Sequence, residues 1–303
     1  QKRLIVIDTT VDKLYGARVR KYLEANNVNY KILPFVTTEE TKSMDLVMNI
    51  LQEVHKFSLD RRTEPIIAIG GGVCLDIVGL AASLYRRRTP YIRVPTTLLS
   101  YVDASVGAKN GVNFCNCKNK LGSYTPPAAT FLDRSFIQTI PRRQISNGLG
   151  EILKVLLNTC LCVLHCQMTV DLGFPIIVIY KIFQICAANS TAVYKWSTNE
   201  TNHGIGTIYS TCSYFANFQK VLPALMHGEA VNIDMAFMTH VSYVRGLITL
   251  EEKDRTIQCM RGLELPVWHA DCAVSLIKKA LAERFKHSGG KMRLPLPTGL
   301  GTA

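Results

Sequence analysis

Among the ten cysteines of this 303-residue chain there is no CxxC pair and no even ladder of spacings. That absence argues against a disulfide framework and reads as the reduced, mostly buried thiols of an intracellular protein. Long apolar runs are missing too. The most lipid-like stretch, Phe174 to Tyr180, falls far short of the ~20 residues that a membrane helix needs. No stretch near the start reads as basic region, apolar run and small-residue cleavage site, so the expected compartment is the cytoplasm, with no membrane partner. The sequons at Asn189 and Asn199 carry no weight without a secretory route. Acidic residues are in deficit, 23 against 35 Lys and Arg, a net charge of +12. The surface should therefore attract anions such as phosphorylated metabolites, nucleic acid or acidic lipid, and the charge alone does not choose among them. Aromatic residues are not interleaved with the basic ones and no nucleic-acid motif occurs, so a nucleic-acid partner is not expected. There is no internal repeat, and with 48% hydrophobic and 19% charged positions the chain is too apolar for a disordered protein and long enough for a large core.

Strand and helix patterns alternate through the first half. Leu4 to Ile7 is a β-type run, residues 12 to 26 have helical spacing, and Tyr30 to Leu33 returns to strand before Thr37-Thr38-Glu39-Glu40 predicts the cap of a further helix. Pro65 to Ile69 is fully apolar and breaks into Gly70-Gly71-Gly72, an apolar helix over Val73 to Tyr85, and a strand over Tyr91 to Val94. This order predicts a parallel sheet with crossover helices, an α/β, Rossmann-like domain. After Asp133 helix-length stretches dominate: Gln144 to Leu157, Leu225 to Leu247 and Val274 to Phe285. A boundary near Pro141 to Ser146 divides residues 1–143 from a mainly helical 144–303, within which 158–219 keeps no sustained period.

Gly70-Gly71-Gly72 between strand and helix is either a structural turn or a place where helix amides meet a phosphate. Asp76, one turn on, either accepts a hydrogen bond from a ribose or amide or merely favours the helix dipole. From Arg93 to Lys109 the chain supplies two hydroxyls, a carboxylate at Asp103 and an ammonium at Lys109 among glycines, and Lys118-Asn119-Lys120 adds donors in an expected loop. Together they suit a phosphorylated, hydroxylated substrate, or else form a solvated basic loop. The run Arg86-Arg87-Arg88 reads as a solvated turn with one member able to reach a phosphate. Glu151 and Lys154 stand at i and i+3 in an otherwise apolar helix. A carboxylate buried there calls for a metal or a cation. His227 opens the next strong helix as a cap, a core residue or, together with Glu151, a metal ligand.

In order, GGGVCLDIVGLAAS, RVPTTLLSYVDASVGAKNGVN, CKNKLG, FLDRSFIQTIPRR, GEILK, LMHGEAV and PLPTGLG resemble the sugar phosphate cyclase superfamily, to which dehydroquinate synthase belongs. VDASVGAKNGVNF, NCKNKLG, GLELPVWH and HSGG fit its 2-epi-5-epi-valiolone synthase branch, in particular the animal form, better than a dehydroquinate synthase pattern. The likeness is close over residues 1–157 and 220–303. It implies an NAD-binding α/β domain, a helical metal domain, an active site in the cleft between them, and a homodimer. The implied reaction converts sedoheptulose 7-phosphate to 2-epi-5-epi-valiolone. NAD oxidises a ring hydroxyl transiently, phosphate leaves by β-elimination, the hydride returns, and an intramolecular aldol step closes the carbocycle.

Carried over by motif, Asp8, Glu39, Lys42, Gly71, Gly72, Asp76, Thr96, Thr97 and Thr139 would hold NAD. Asp103, Lys109, Asn119 and Lys154 would hold the sugar hydroxyls and phosphate, with Lys118 between cofactor and substrate. Arg87 matches a phosphate-binding arginine that reaches in from the other subunit, and His287 a histidine that marks the valiolone branch. Glu151 and His227 would bind zinc, or cobalt. The family's remaining ligand is a histidine about sixteen residues before His227, where this chain has Thr211, and a catalytic zinc needs three protein ligands. Cys212 and His203 are the replacement candidates. The expectation is a loosely held metal and lost or severely weakened activity; a non-catalytic NAD-binding relative with a damaged metal site and a 3-dehydroquinate synthase-type cyclase are the alternatives to the valiolone-type reading.

Overall fold

The computed structural model describes residues 2–105, 107–115, 117–159, 193–194, 225–270, 272–287 and 296–299. The apolar run near the start forms β1 (Lys2–Asp8), followed by α1 (Thr9–Ala25) and β2 (Asn29–Phe35). Then come α2 (Met44–Phe57), β3 (Ile66–Gly70), α3 (Gly72–Leu84) and β4 (Tyr91–Pro95). β5 (Lys109–Phe114) and β6 (Cys117–Tyr124) make an antiparallel hairpin of their own. β7 (Ala129–Phe131) and β8 (Val193–Tyr194) complete a six-stranded sheet of order β2-β1-β3-β4-β7-β8, parallel except for the last pair.

The sheet is covered on both sides, which is why its strands read as continuous apolar runs. Alternate residues of β1 serve opposite faces. Leu4 and Val6 pack with Val47, Ile50 and Val54 of α2 and with Leu75, Ile77 and Val78 of α3. Ile5 and Ile7 pack with Leu23 of α1 and Ile69. Each such side chain, fully buried, contributes roughly 1.5–3 kcal/mol.

The chain separates into two compact units, residues 1–141 with 187–201, and residues 142–186 with 202–303. The second contains α4 (Arg142–Thr159), α5 (His227–Val244), α6 (Leu250–Gly262) and α7 (Val274–His287). α5 packs on both α4 and α6. Among the described residues no helix is long and apolar enough to cross a membrane.

Two local expectations are corrected. Thr37-Thr38-Glu39-Glu40 does not cap a helix, because α2 begins only at Met44, after Ser43. Glu39 and Lys42 are instead drawn toward the β5–β6 hairpin, where Asn113 donates to Glu39 Oε1 at 3.0 Å and Lys42 donates to Asn119 Oδ1 at 2.8 Å. Lys118-Asn119-Lys120 is not a loop but the body of β6. The β-like run at 176–179 lies outside the described residues.

Candidate active site

Strand order reverses beside β1, which has β2 on one flank and β3 on the other. In an open α/β sheet the crevice at the carboxyl ends of two such strands is where nucleotides bind. β1 ends there in Asp8 and β3 in Gly70, with Ile7 registered against Ile69. Asp8 caps α1, accepting from Thr10 N at 2.8 Å and Val11 N at 3.4 Å, while its other oxygen takes the Thr37 hydroxyl at 2.5 Å.

Beside it, α3 starts from Gly71 without a side-chain cap. Its first amides are thus unspoken for by any side chain of the turn, as a pyrophosphate site requires. The glycines keep the space open: a Cβ at Gly72 would meet nothing nearer than Ala104 Cβ at 3.8 Å, and one at Gly71 only the Thr97 side chain, at 3.4 Å. Gly70 is different, since a Cβ there would sit 2.6 Å from Cys74 Cβ. Thr96 N ties this turn to β4 through Gly70 O at 3.0 Å, and Thr97 Oγ1 bonds to Ser100 Oγ at 2.9 Å. Uncapped amides, an uncrowded glycine cradle and a carboxylate at the strand end fit a dinucleotide.

The polar network continues from α3 to the hairpin. Lys42, buried, donates to Asp76 Oδ2 at 2.6 Å as well as to Asn119. Asn119 takes the left-handed conformation, φ 50°, that asparagine tolerates, and its amide donates to Asn113 Oδ1 at 3.0 Å. Lys118 Nζ lies 3.5 Å from Glu39. Burial pushes the Glu39 carboxyl up, but Lys42, the bond from Asn113 and Lys118 outweigh it and hold it below its ordinary value. Asn113 joins both halves of this network and was not singled out by the sequence; its position on β5, two residues from Gly111, was the available signal. Asp103 sits half-buried in the π-helical turn Ser100–Ala104, and Lys109 is exposed at the start of β5. Thr139 is placed differently, its hydroxyl 2.6 Å from Tyr15 on α1. Arg87 is exposed after α3, in a run where Arg86, Arg87 and Arg88 all have positive φ.

The second unit holds a different kind of corner. α4 and α5 touch at two glycines: a Cβ on Gly150 would lie 2.6 Å from Gly228 O, and one on Gly228 1.9 Å from Asn147 O. Gly228 N donates to Asn147 Oδ1 at 2.7 Å. This approach brings His227 Nε2 to 2.9 Å from Glu151 Oε1, with Lys154 Nζ against the other carboxylate oxygen. Glu151 is 2% exposed and Lys154 5%. Burial works to raise the Glu151 carboxyl, yet the hydrogen bond and charge of His227 and the Lys154 ammonium hold it low. Glu229 closes the helix start, accepting from Met226 N at 2.7 Å and pairing in bidentate fashion with Arg143 at 2.7 and 2.8 Å. A carboxylate and an imidazole are zinc donors. Among the described residues no group of three His, Cys, Asp or Glu side chains forms. Thr211, Cys212 and His203 lie outside the described residues, as does the side chain of His287 at the end of α7.

Residues 32–147 match the family described as 3-dehydroquinate synthase N-terminal, and residues 216–287 its C-terminal counterpart. A 2-epi-5-epi-valiolone synthase from Actinomyces sp is 41% identical over 318 residues, covering 100% of this chain and 82% of that one. The chain belongs to the sugar phosphate cyclases of the 3-dehydroquinate synthase family. A 3-dehydroquinate synthase from Pseudomonas aeruginosa is more distant within it, 32% identical over 99% of this chain and 82% of its own. The structure of 2-epi-5-epi-valiolone synthase from Streptomyces hygroscopicus subsp. jinggangensis, with NAD+ and Zn2+ bound, superposes with a TM-score of 0.85 at 38% identity, covering 100% of this chain and 85% of that one. The expected α/β-plus-helical, dehydroquinate synthase-like fold is thereby borne out.

Proposed function

We propose that the chain converts sedoheptulose 7-phosphate to 2-epi-5-epi-valiolone and inorganic phosphate, using NAD and a divalent metal, zinc or cobalt. The observation that carries this is the 41% identity to a 2-epi-5-epi-valiolone synthase over the whole chain, against 32% to a 3-dehydroquinate synthase. The α/β unit, 1–141 with 187–201, is the NAD-binding domain, and 142–186 with 202–303 the metal- and substrate-binding domain, which differs from the expected division at 143/144 chiefly in 187–201. Asp8, Glu39, Lys42, Gly71, Gly72, Asp76, Thr96, Thr97 and Thr139 hold the dinucleotide, and Glu151 and His227 hold the metal. Bound NAD would supply a reversible hydride sink, and the metal a Lewis acid at the hydroxyl being oxidised.

The chain's own residues do the rest. Lys109, Lys118, Asn119 and Lys154 offer ammonium and amide donors to phosphate and ring hydroxyls, and Asp103 accepts from a hydroxyl. Lys154, buried with its ammonium against Glu151, can offer that group to a leaving phosphate. His287 is the histidine that the motif assigns to the valiolone branch, and Arg87 supplies a guanidinium that serves the partner subunit of a cytoplasmic homodimer. The five described cysteines, 74, 115, 117, 259 and 272, are all free thiols.

A second reading, a non-catalytic NAD-binding relative, draws on the sequence, which has Thr211 where the family has its remaining histidine ligand. Phosphate release from sedoheptulose 7-phosphate by zinc-loaded protein, with the carbocycle identified by mass and NMR, decides between them. Turnover with that product supports the cyclase. Zinc-saturated, NAD-bound protein that releases no phosphate supports the relative.

A further inference from the structure

Arg93 lies at the centre of β4 with 0% of its surface exposed, and no carboxylate accompanies it among its described hydrogen bonds. A charge taken so far from water is costly unless its donors are met. A leucine would fill a sheet position without that cost. Its acceptors are therefore informative. One guanidinium nitrogen donates to Ala104 O at 2.6 Å and to Gly107 O at 2.5 Å; the other donates to Asn110 Oδ1 at 2.8 Å. Its Nε has no partner among the described residues. The three acceptors all belong to the segment from Asp103 to Asn110, which ends β4's crossover and begins β5.

Other core groups hold the same segment. Thr130 on β7 donates to Ser105 O at 3.2 Å, Thr125 N to Ala108 O at 2.9 Å, and Asn110 Nδ2 to Thr125 O at 2.8 Å. Tyr91 lies under the guanidinium, 5.4 Å from ring centre to Cζ, and its hydroxyl donates to Asn110 Oδ1 at 3.2 Å and Thr125 O at 2.7 Å. Gly79 of α3 leaves room for Asn110, since a Cβ there would fall 1.8 Å from Asn110 Oδ1. The carbonyls of residues 104, 105 and 107 are thus held from the six-stranded sheet, and that of 108 from the end of the hairpin.

We infer that Arg93 is a positioning residue for the cyclase reaction: it fixes the turn that carries Asp103 at one end and Lys109 at the other, and so sets the spacing of a hydroxyl acceptor and a phosphate donor. This rests on the proposed roles of Asp103 and Lys109. The guanidinium suits the task because its planar fork reaches two carbonyls and an amide oxygen at once, whereas a lysine ammonium on a flexible stem is a single point. Misplacing reacting groups by ~1 Å costs about a hundredfold in rate.

The test uses the full chain with Arg93→Lys and Arg93→Met. Two amides report on the turn without substrate, Ser105 N, which donates to Ser100 O, and Gly107 N, which donates to Asp103 O. Hydrogen exchange of the peptide spanning them should speed up about tenfold or more in Arg93→Met and less in Arg93→Lys, while peptides of β1 and β3 keep the parent's protection. Affinity for NAD should stay within about twofold, and kcat should fall about a hundredfold in Arg93→Met with a smaller fall in Arg93→Lys. Should Arg93→Met not fold, Arg93→Lys alone carries both readouts. Unchanged exchange at the turn, or kcat per folded molecule equal to the parent's, overturns the inference. A parent that releases no phosphate from sedoheptulose 7-phosphate strikes at the cyclase reading instead, and the exchange arm still decides whether Arg93 sets the turn.

Discussion

The glycine turn of the α/β unit and the Glu151–His227 corner of the helical unit are both built on glycines that let chains approach, yet they tolerate damage differently. At Gly71 and Gly72 the missing side chains leave space for a ligand, and the surrounding bonds from Asp8, Thr37, Lys42, Asp76 and Asn119 interlock. At Gly150 and Gly228 the missing side chains are filled by the opposing backbone. The first arrangement spreads its geometry over many groups, whereas the second concentrates it in one helix contact and one buried charge cluster.

Gly228→Ala should show the contrast most sharply. Its Cβ would lie 1.9 Å from Asn147 O, a backbone atom that can yield only by parting α4 from α5. Overpacking of this kind costs about 1–3 kcal/mol. The larger consequence is at the metal, because separating the helices draws His227 away from Glu151. Zinc retained after dialysis should fall at least about tenfold relative to the parent, while NAD affinity, measured by calorimetry, is unchanged. Parent-like zinc content would show that the glycine contact does not set the donor spacing.

The metal corner can also be sharpened by addition. Two protein donors leave zinc loosely held, so the parent should purify with less than one zinc per chain and release phosphate at its full rate only when zinc is supplied in excess. Thr211→His restores an imidazole at the family's position and should tighten zinc about tenfold or more, metal being gained before activity. One zinc per chain in the parent, with normal turnover, would mean that another donor, Cys212 or His203, already completes the set.

On the cofactor side, Gly71→Val should fold, since a Cβ there makes only an ordinary 3.4 Å contact with Thr97 and the backbone φ of −73° suits any residue. Its methyls would occupy the cradle and weaken NAD about tenfold. Asp76→Ala should cost less, because Lys42 keeps Asn119 as a second acceptor. Calorimetric affinities equal to the parent's in both variants would remove the dinucleotide from this turn.

What the sequence showed, and what it hid, divides along the same line. The alternation of apolar runs, the glycine break after β3 and the apolar setting of Glu151 were legible because burial on both faces writes itself into composition. The β5–β6 hairpin was not. β6 reads CKNKLGSY, and its two large apolar residues, Leu121 and Tyr124, are exposed, so no period-2 pattern marks it. It is held by backbone pairing that needs glycine at 122, where a Cβ would lie 2.3 Å from Asn110 O. Thr37 to Glu40 misled for a related reason: hydroxyls and carboxylates at cap spacing were claimed by tertiary partners, and a local pattern cannot report those.

The smallest effect belongs to Glu39, the exposed rim of the cofactor network. Lys42, Asn113 and Lys118 hold its carboxyl below the ordinary 4.5 of a free glutamate against the pull of burial. A carboxylate lowered in the folded state adds stability at every pH above its unfolded value and loses it as pH falls through the lower folded one. Glu39→Gln should therefore lower the melting temperature slightly at neutral pH, and the gap to the parent should close as the pH is taken below about 4.5. With 39% of the side chain exposed, screening limits the difference to about 0.2–1 kcal/mol, far less than the loss at Gly228→Ala. A gap that stays constant across that range would mean Glu39 acts through its hydrogen bond from Asn113 and not through its charge. Asn113→Ala should then show a pH-independent loss as well, and a larger one, since it removes both this bond at 3.0 Å and the acceptor of the Asn119 amide.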